Sequence, residues 1–156
     1  MKKIIIGVVC FALMLSAVAC GSKPAGVVHI DGTLQEIFKK IYDNANVEAP
    51  LTMEIVLDDN NKASMLGTNE VVFTEGLASE AAIMTIPHSM VLIRVDGNTD
   101  IEKTKQLIRD NVDPRKWICV GVEADQVVVD NIGDLIFLVM SADASAYHDS
   151  FLKLAA

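Results

Sequence analysis

The chain lacks what a small exported domain commonly uses to brace itself covalently. It has three cysteines in 156 residues, Cys10, Cys20 and Cys119. The first two belong to an N-terminal segment treated below, which leaves Cys119 alone in the remainder. No intramolecular disulfide can form there, so stability has to come from packing. Basic charge is also scarce. Lysine and arginine together number 13 against 21 acidic residues, and Lys2 and Lys3 sit at the extreme N-terminus. Without the leading segment, 11 basic side chains face 21 acidic ones, a net charge of −10. Such a surface repels phosphate backbones, which argues against nucleic-acid binding. It also resists lying flat on anionic lipid. There is no glycine-rich loop with a lysine to cradle phosphate, no Gly-x-Ser-x-Gly elbow, no repeat and no low-complexity stretch. The length implies one domain, long enough to bury a core unaided.

The N-terminus carries the most specific signal. Met1-Lys2-Lys3 is a positive start, and residues 4–19 are apolar and uncharged. That run is shorter than the roughly 18–20 residues a spanning helix needs, and it ends in small side chains, as a secretory signal does. Ala17-Val18-Ala19-Cys20 resembles a lipobox, the processing sequence of bacterial lipoproteins. In that reading the Cys20 thiol accepts a diacylglyceryl group, and cleavage leaves it at the new N-terminus. Cys10 is a poorer candidate because the apolar run continues past it. The expected organisation is a leader over 1–19, a lipidated tether over 20–27 and a single domain over 28–156. Residues 21–26 reach only about 20 Å when fully extended, so the domain stays close to its membrane.

Within the domain, Thr33-Leu34-Gln35-Glu36 is a capping box that opens a helix. Leu34, Ile37, Phe38, Ile41 and Tyr42 share one face of it, and the helix should end near Asn44. Residues 52–57 read as a strand, Asp58-Asp59-Asn60-Asn61 as a turn, and 71–73 as a short strand or extended segment. Residues 79–86 and 89–95 read as strands around a corner at Pro87-His88. Thr99 and Glu102 form a second capping box, opening a helix that presents Ile101, Ile108 and Val112 and stops at Asp113-Pro114. Residues 117–122, 126–131 and 135–140 read as further strands, with a turn at residues 131–134. A last helix, capped by Ser141 or Asp143, buries Tyr147, Phe151 and Leu154. Hairpins outnumber crossovers. The expected fold is α+β, a mainly antiparallel sheet with about three helices packed on one face, preceded by a cleaved signal peptide.

Few residue groups point to chemistry. Asp58-Asp59-Asn60-Asn61 lacks the glycine and glutamate of a calcium loop and reads as a turn. Met84, His88 and Met90 are soft ligands at period-two spacing, but Pro87 interrupts the strand that would align them. His29, His88 and His148 are scattered. His148-Asp149-Ser150 has the letters of a hydrolytic triad, yet neighbours on a helix point apart. Glu75 and Glu80 could serve as acid and base only if the fold joined them. No cofactor or metal site is specified. Cys119, in an apolar run, is expected to be a buried small hydrophobe. Trp117, the single tryptophan, is expected to fill the gap between helix and sheet. With Arg115, it is also the one candidate for a partner contact.

The order of these segments resembles a known family. Ala78-Ser79-Glu80 precedes an apolar strand, and residues 91–95 lead into a charged helix. The runs 113–120, 133–134 and 138–141 complete the pattern. These are similar to small lipoproteins of anaerobic Gram-positive bacteria in the DUF4358 family, over about residues 51–154. The family has no assigned activity, so the resemblance implies location and element order and transfers no catalytic residue.

The leading expectation is a non-enzymatic binding or interaction module, anchored through lipid on Cys20 to the outer face of the cell membrane. Its partner would be another membrane or envelope protein. A small-ligand accessory to a transporter or sensor is the alternative and would need an enclosed pocket. An envelope-acting hydrolase is the third and would need a nucleophile–base pair in a cleft. Mass spectrometry of the chain from its native host should give a diacylated Cys20 at the N-terminus. A retained leader or a free Cys20 thiol there would refute the anchor.

Overall fold

The computed structural model describes residues 28–156. The leader, Cys20 and the tether lie outside the described residues. The elements run α1 (Leu34–Asn44), β1 (Thr52–Val56), α2 (Lys62–Leu66), β2 (Glu75–Ala81), β3 (His88–Arg94), α3 (Ile101–Asn111), β4 (Val127–Ile132), β5 (Leu135–Ser141) and α4 (Ala144–Leu152). Short 3-10 turns occupy Ala124–Gln126 and Lys153–Ala155. The fold is α+β, and its five strands form one antiparallel sheet in the order β1-β2-β3-β5-β4. No helix among the described residues is long and apolar enough to cross a membrane.

Local chemistry sets the helix starts. Thr33 Oγ1 accepts the Glu36 amide at 3.2 Å, and Glu36 Oε2 accepts the Thr33 amide at 2.9 Å, so the first capping box forms as expected. The second does not. Asp100 takes the cap position of α3 and accepts the Lys103 amide at 3.0 Å. Thr99 instead hydrogen-bonds Asp96, because the Asp96-Gly97-Asn98 turn claims its hydroxyl first. Asp143 stands at the cap of α4 without a side-chain bond.

Alternation along the central strands decides the layers. Leu77, Met90, Leu92, Leu135, Phe137 and Val139 point to one face, where α1 and α4 cover them. Ala78, Val91, Ile93, Ile136, Leu138 and Met140 point to the other, under Leu66 of α2, Ile108 of α3 and Trp117. Helices therefore pack on both faces, correcting the expectation of one. Every residue of β3 and β5 is buried, so neither face could be left to water. On the first face, Leu34, Ile37, Phe38 and Ile41 of α1 are all at or below 2% exposure. Each such side chain contributes about 1.5–3 kcal/mol. Phe137 and Phe151 stack with ring centroids 4.6 Å apart.

Three further expectations are corrected. β2 begins at Glu75 and ends at Ala81, earlier than expected, and residues 82–87 form the connection to β3. Residues 117–122 are not a strand. They loop beneath the second face, held by the Val122 amide donating to the Pro114 carbonyl at 2.9 Å. Cys119 is exposed there with φ +60, so it is not a core residue. Residues 71–73 belong to no strand or helix; Val71 is buried and Val72 exposed.

The first described residues are sewn to one end of the sheet. The Arg94 side chain, 8% exposed, donates through Nη2 to the Ile30 and Gly32 carbonyls, each at 2.8 Å. Its Nε lies 3.2 Å from Glu75. His29 meets Asp134 at 2.8 Å, and the Asp134 amide donates to the Val28 carbonyl at 3.4 Å. The β4–β5 turn must be bare to admit this strap. Gly133 has φ +56, and a Cβ there would fall 1.6 Å from the Val28 carbonyl oxygen. Gly133→Ala should lose about 1–3 kcal/mol, read as a lower urea midpoint, with faster amide exchange at residues 28–33.

Candidate functional site

A concavity lies on the second face, at the end of the sheet where β2 finishes. It is an open groove of about 320 Å³. Met53 and Ile55 of β1 form one wall, and Ser64 and Met65 of α2 another. Ala81, Ala82 and Met84 form the far side, with Lys116 and Trp117 completing it. β1 alternates so that Met53 and Ile55 point inward here while Thr52 and Glu54 point to the first face. Exposed apolar residues adjoin the lining segments in the chain: Leu51 at 74%, Ile83 at 51% and Ile118 at 60%. The Ala82 amide bonds the Leu51 carbonyl at 2.8 Å and the Ile118 amide bonds the Met84 carbonyl at 3.2 Å, so these segments are joined.

Charge enters the groove only as a closed pair. Lys116 Nζ lies 2.9 Å from Glu80 Oε1 and 3.1 Å from Ser89 Oγ, and the Ser89 hydroxyl also donates to Glu80. Both charged side chains are mostly buried. Lys116 also sits 5.5 Å from the centroid of the Trp117 ring, within cation–π range. Satisfied internally, the pair leaves the groove apolar with a neutral polar floor. Trp117 is 6% exposed and packs beneath the sheet, filling the expected gap while its edge reaches the groove. Arg115 is exposed and is not among the groove residues.

A second cleft, of about 290 Å³, opens on the first face between Glu48, Pro50, Pro87, His88, Ser141 and Asp143. Behind it runs a polar chain. His88 Nδ1 lies 3.2 Å from Ser141 Oγ, and Nε2 lies 2.9 Å from the Tyr42 hydroxyl. That hydroxyl lies 2.8 Å from Ser79 Oγ. The Ser141–His88 spacing suits a nucleophile and base, but the rest does not. A phenol, not a carboxylate, meets the second ring nitrogen, and burial lowers the His88 pKa to about 4. A base that weak takes few protons at neutral pH. Tyr147 packs edge-on against both rings, its hydroxyl buried without a partner, and burial pushes it up to about 12.

The other candidates from the sequence are dispersed. Glu75 points to the first face beside Arg94, whereas Glu80 points to the second. His148 binds Asp130 at 2.8 Å, and Ser150 donates to the Ile41 carbonyl at 2.8 Å, so the apparent triad is split. Met90 is fully buried on the first face, Met84 is half-exposed at the groove, and His88 bonds to hydroxyls. Among the described residues no cluster of three histidine, cysteine or acidic side chains is placed to hold a metal ion. The groove itself escaped sequence reading. Its only trace there is the Met53 and Ile55 alternation in a strand followed by a polar turn.

Comparisons of the chain with protein-family models, with curated proteins and with solved structures find no match.

His88 makes stability depend on pH with a definite sign. Its folded pKa of about 4 lies below the ordinary 6.5, so protonation favours the unfolded chain. The stabilisation is complete above about pH 6.5 and declines as pH falls towards 4, by up to about 3 kcal/mol. Urea midpoints measured between pH 7 and 5 should fall with acidity in the native chain. In His88→Asn that slope should flatten.

Proposed function

We propose that the chain is a lipid-tethered, extracytoplasmic binding module and that its site is the groove beneath β1 and α2. One observation carries the reading: an apolar concavity, with its single charged pair already neutralised, is built from segments that also carry exposed Leu51, Ile83 and Ile118. Ligand sites are mostly apolar with a few convergent polar groups. Contiguous exposed apolar surface marks association. The groove is open along its mouth, which favours a macromolecular segment over an enclosed small ligand. No reaction is assigned: the Ser141–His88 pair lacks both an orienting carboxylate and a usable base, and Lys116 beside Ser89 is already paired with Glu80.

The position of the groove supports a partner in the envelope. The strap through Val28 and Arg94 lies at the sheet end where Glu75 pairs with Arg94. The groove reaches the other end, near Glu80 and Ser89. Seven-residue strands separate these ends by about 20 Å. An anchor on Cys20 would therefore hold the strap towards the bilayer and leave the groove facing away.

Trp117 is a built-in reporter. With residues 21–156 and the neutral dye N-phenyl-1-naphthylamine, energy transfer from Trp117 should report dye entry. Met84→Lys, and Ser64→Phe from the opposite wall, should each weaken binding about tenfold, or about 1.4 kcal/mol. Unchanged transfer in both variants would place the dye elsewhere and remove the groove as the site.

A further inference from the structure

We infer that the outer edge of β1 receives an extended segment of a partner protein as a sixth strand. The inference deepens the groove reading and rests on it. Among the described residues β1 is an edge strand that pairs with β2 alone. The Leu57 amide donates to the Gly76 carbonyl at 2.9 Å and the Ala82 amide to the Leu51 carbonyl at 2.8 Å. Odd-numbered residues thus face β2 through their main chain, and Thr52, Glu54 and Val56 face outward. Of those groups the Val56 carbonyl is met by Asn61 Nδ2 at 2.8 Å. Both main-chain groups of Thr52 and Glu54, and the Val56 amide, point out of the sheet.

The two edges of the sheet are treated differently. At β4, helix α3 lies alongside, and the Arg109 side chain donates to the Val129 carbonyl at 2.5 Å. Edges are commonly blunted by such cover, or by proline, lysine or a bulge. The sequence of β1, Thr-Met-Glu-Ile-Val, has none of these three. Met53 is 51% exposed and Val56 69%. An edge with unpaired main-chain groups beside an apolar groove is the arrangement that strand addition uses, main-chain bonds giving affinity and alternate side chains giving selectivity.

Charge selects the occupant. On the groove side, an added strand would lay apolar residues beside Met53 and Ile55. On the other side it would run past Glu54, the one charged residue of β1 and an exposed one. A basic residue there makes a favourable cross-strand pair. A second copy of this chain is a poor occupant. Antiparallel self-pairing over the whole of β1 sets Glu54 opposite its own symmetry mate, and both copies carry net negative charge. The partner segment therefore alternates apolar and basic residues.

The test uses the full lipidated chain in phosphatidylcholine nanodiscs and a seven-residue peptide alternating valine and lysine. A control peptide carries the same side chains but is N-methylated at alternate amides on the edge meant for β1. The unmodified peptide should slow amide exchange at Thr52, Glu54 and Val56 and shift Trp117 fluorescence. The methylated one should bind at least about tenfold more weakly. Glu54→Lys should weaken the lysine peptide about threefold and favour its glutamate counterpart. Equal binding of both peptides with a Trp117 response overturns strand addition and leaves the groove reading intact. No response to either peptide, with dye entry preserved, also overturns it; loss of dye entry fails the groove itself. A chain that sediments as a dimer, and as a monomer after Glu54→Pro, assigns the edge to a second copy and overturns the inference.

Discussion

Strands β3 and β5 lie side by side in register from His88 opposite Ser141 to Arg94 opposite Leu135, and all their residues are out of water. This pair is apolar on both faces along most of its length. A sheet centred on it must be covered twice, and the rest of the chain is arranged to do so. On one side the amphipathic α1 and the C-terminal α4 meet Leu92, Phe137 and Val139. On the other, α3 offers a narrower stripe, and Trp117 and Leu66 supply the remaining area. With no disulfide among its described residues, the domain relies on this double burial for its stability.

The polar groups that enter the interior follow the same logic. Arg94, Lys105 and His88 are buried, and each is met by partners from a different part of the chain. Arg94 gathers the Ile30 and Gly32 carbonyls, Lys105 gathers Glu102 and Asn131, and His88 gathers Tyr42 and Ser141. Removing these partners would strand a desolvated polar group, so the contacts specify how distant segments meet more than they add net stability. The strap at Arg94 fixes where the chain enters the domain. The cover by α2 and Trp117 is incomplete near Ala81, and the incompleteness is the groove.

Much of the element order was legible from residue pattern. The first capping box, the α1 face, the β4–β5 hairpin and the stop at Pro114 are set by side chains within a few positions of one another. Errors came where a local pattern had two solutions. Trp117-Ile118-Cys119-Val120 is as apolar as a strand, yet it has no neighbouring strand to pair with, since β5 takes the place beside β3. Its residues instead split between burial at Trp117 and exposure at Ile118 and Cys119. Thr99 and Asp100 are both good caps, and the competing turn at Asp96 decided between them.

From sequence alone came the acidic balance, the lipobox-like Cys20, the α+β class and the scarcity of catalytic motifs, because composition and short-range spacing carry them. Tertiary structure alone decided that helices cover both faces and that Glu75 and Glu80 point apart. It alone made one sheet edge guarded and the other open, and placed Met53, Met65, Met84 and Trp117 around one groove. The physical reason is that strand order and core packing join residues as many as 109 positions apart, as Ser150 and Ile41 are, and no local periodicity encodes which strand becomes the edge.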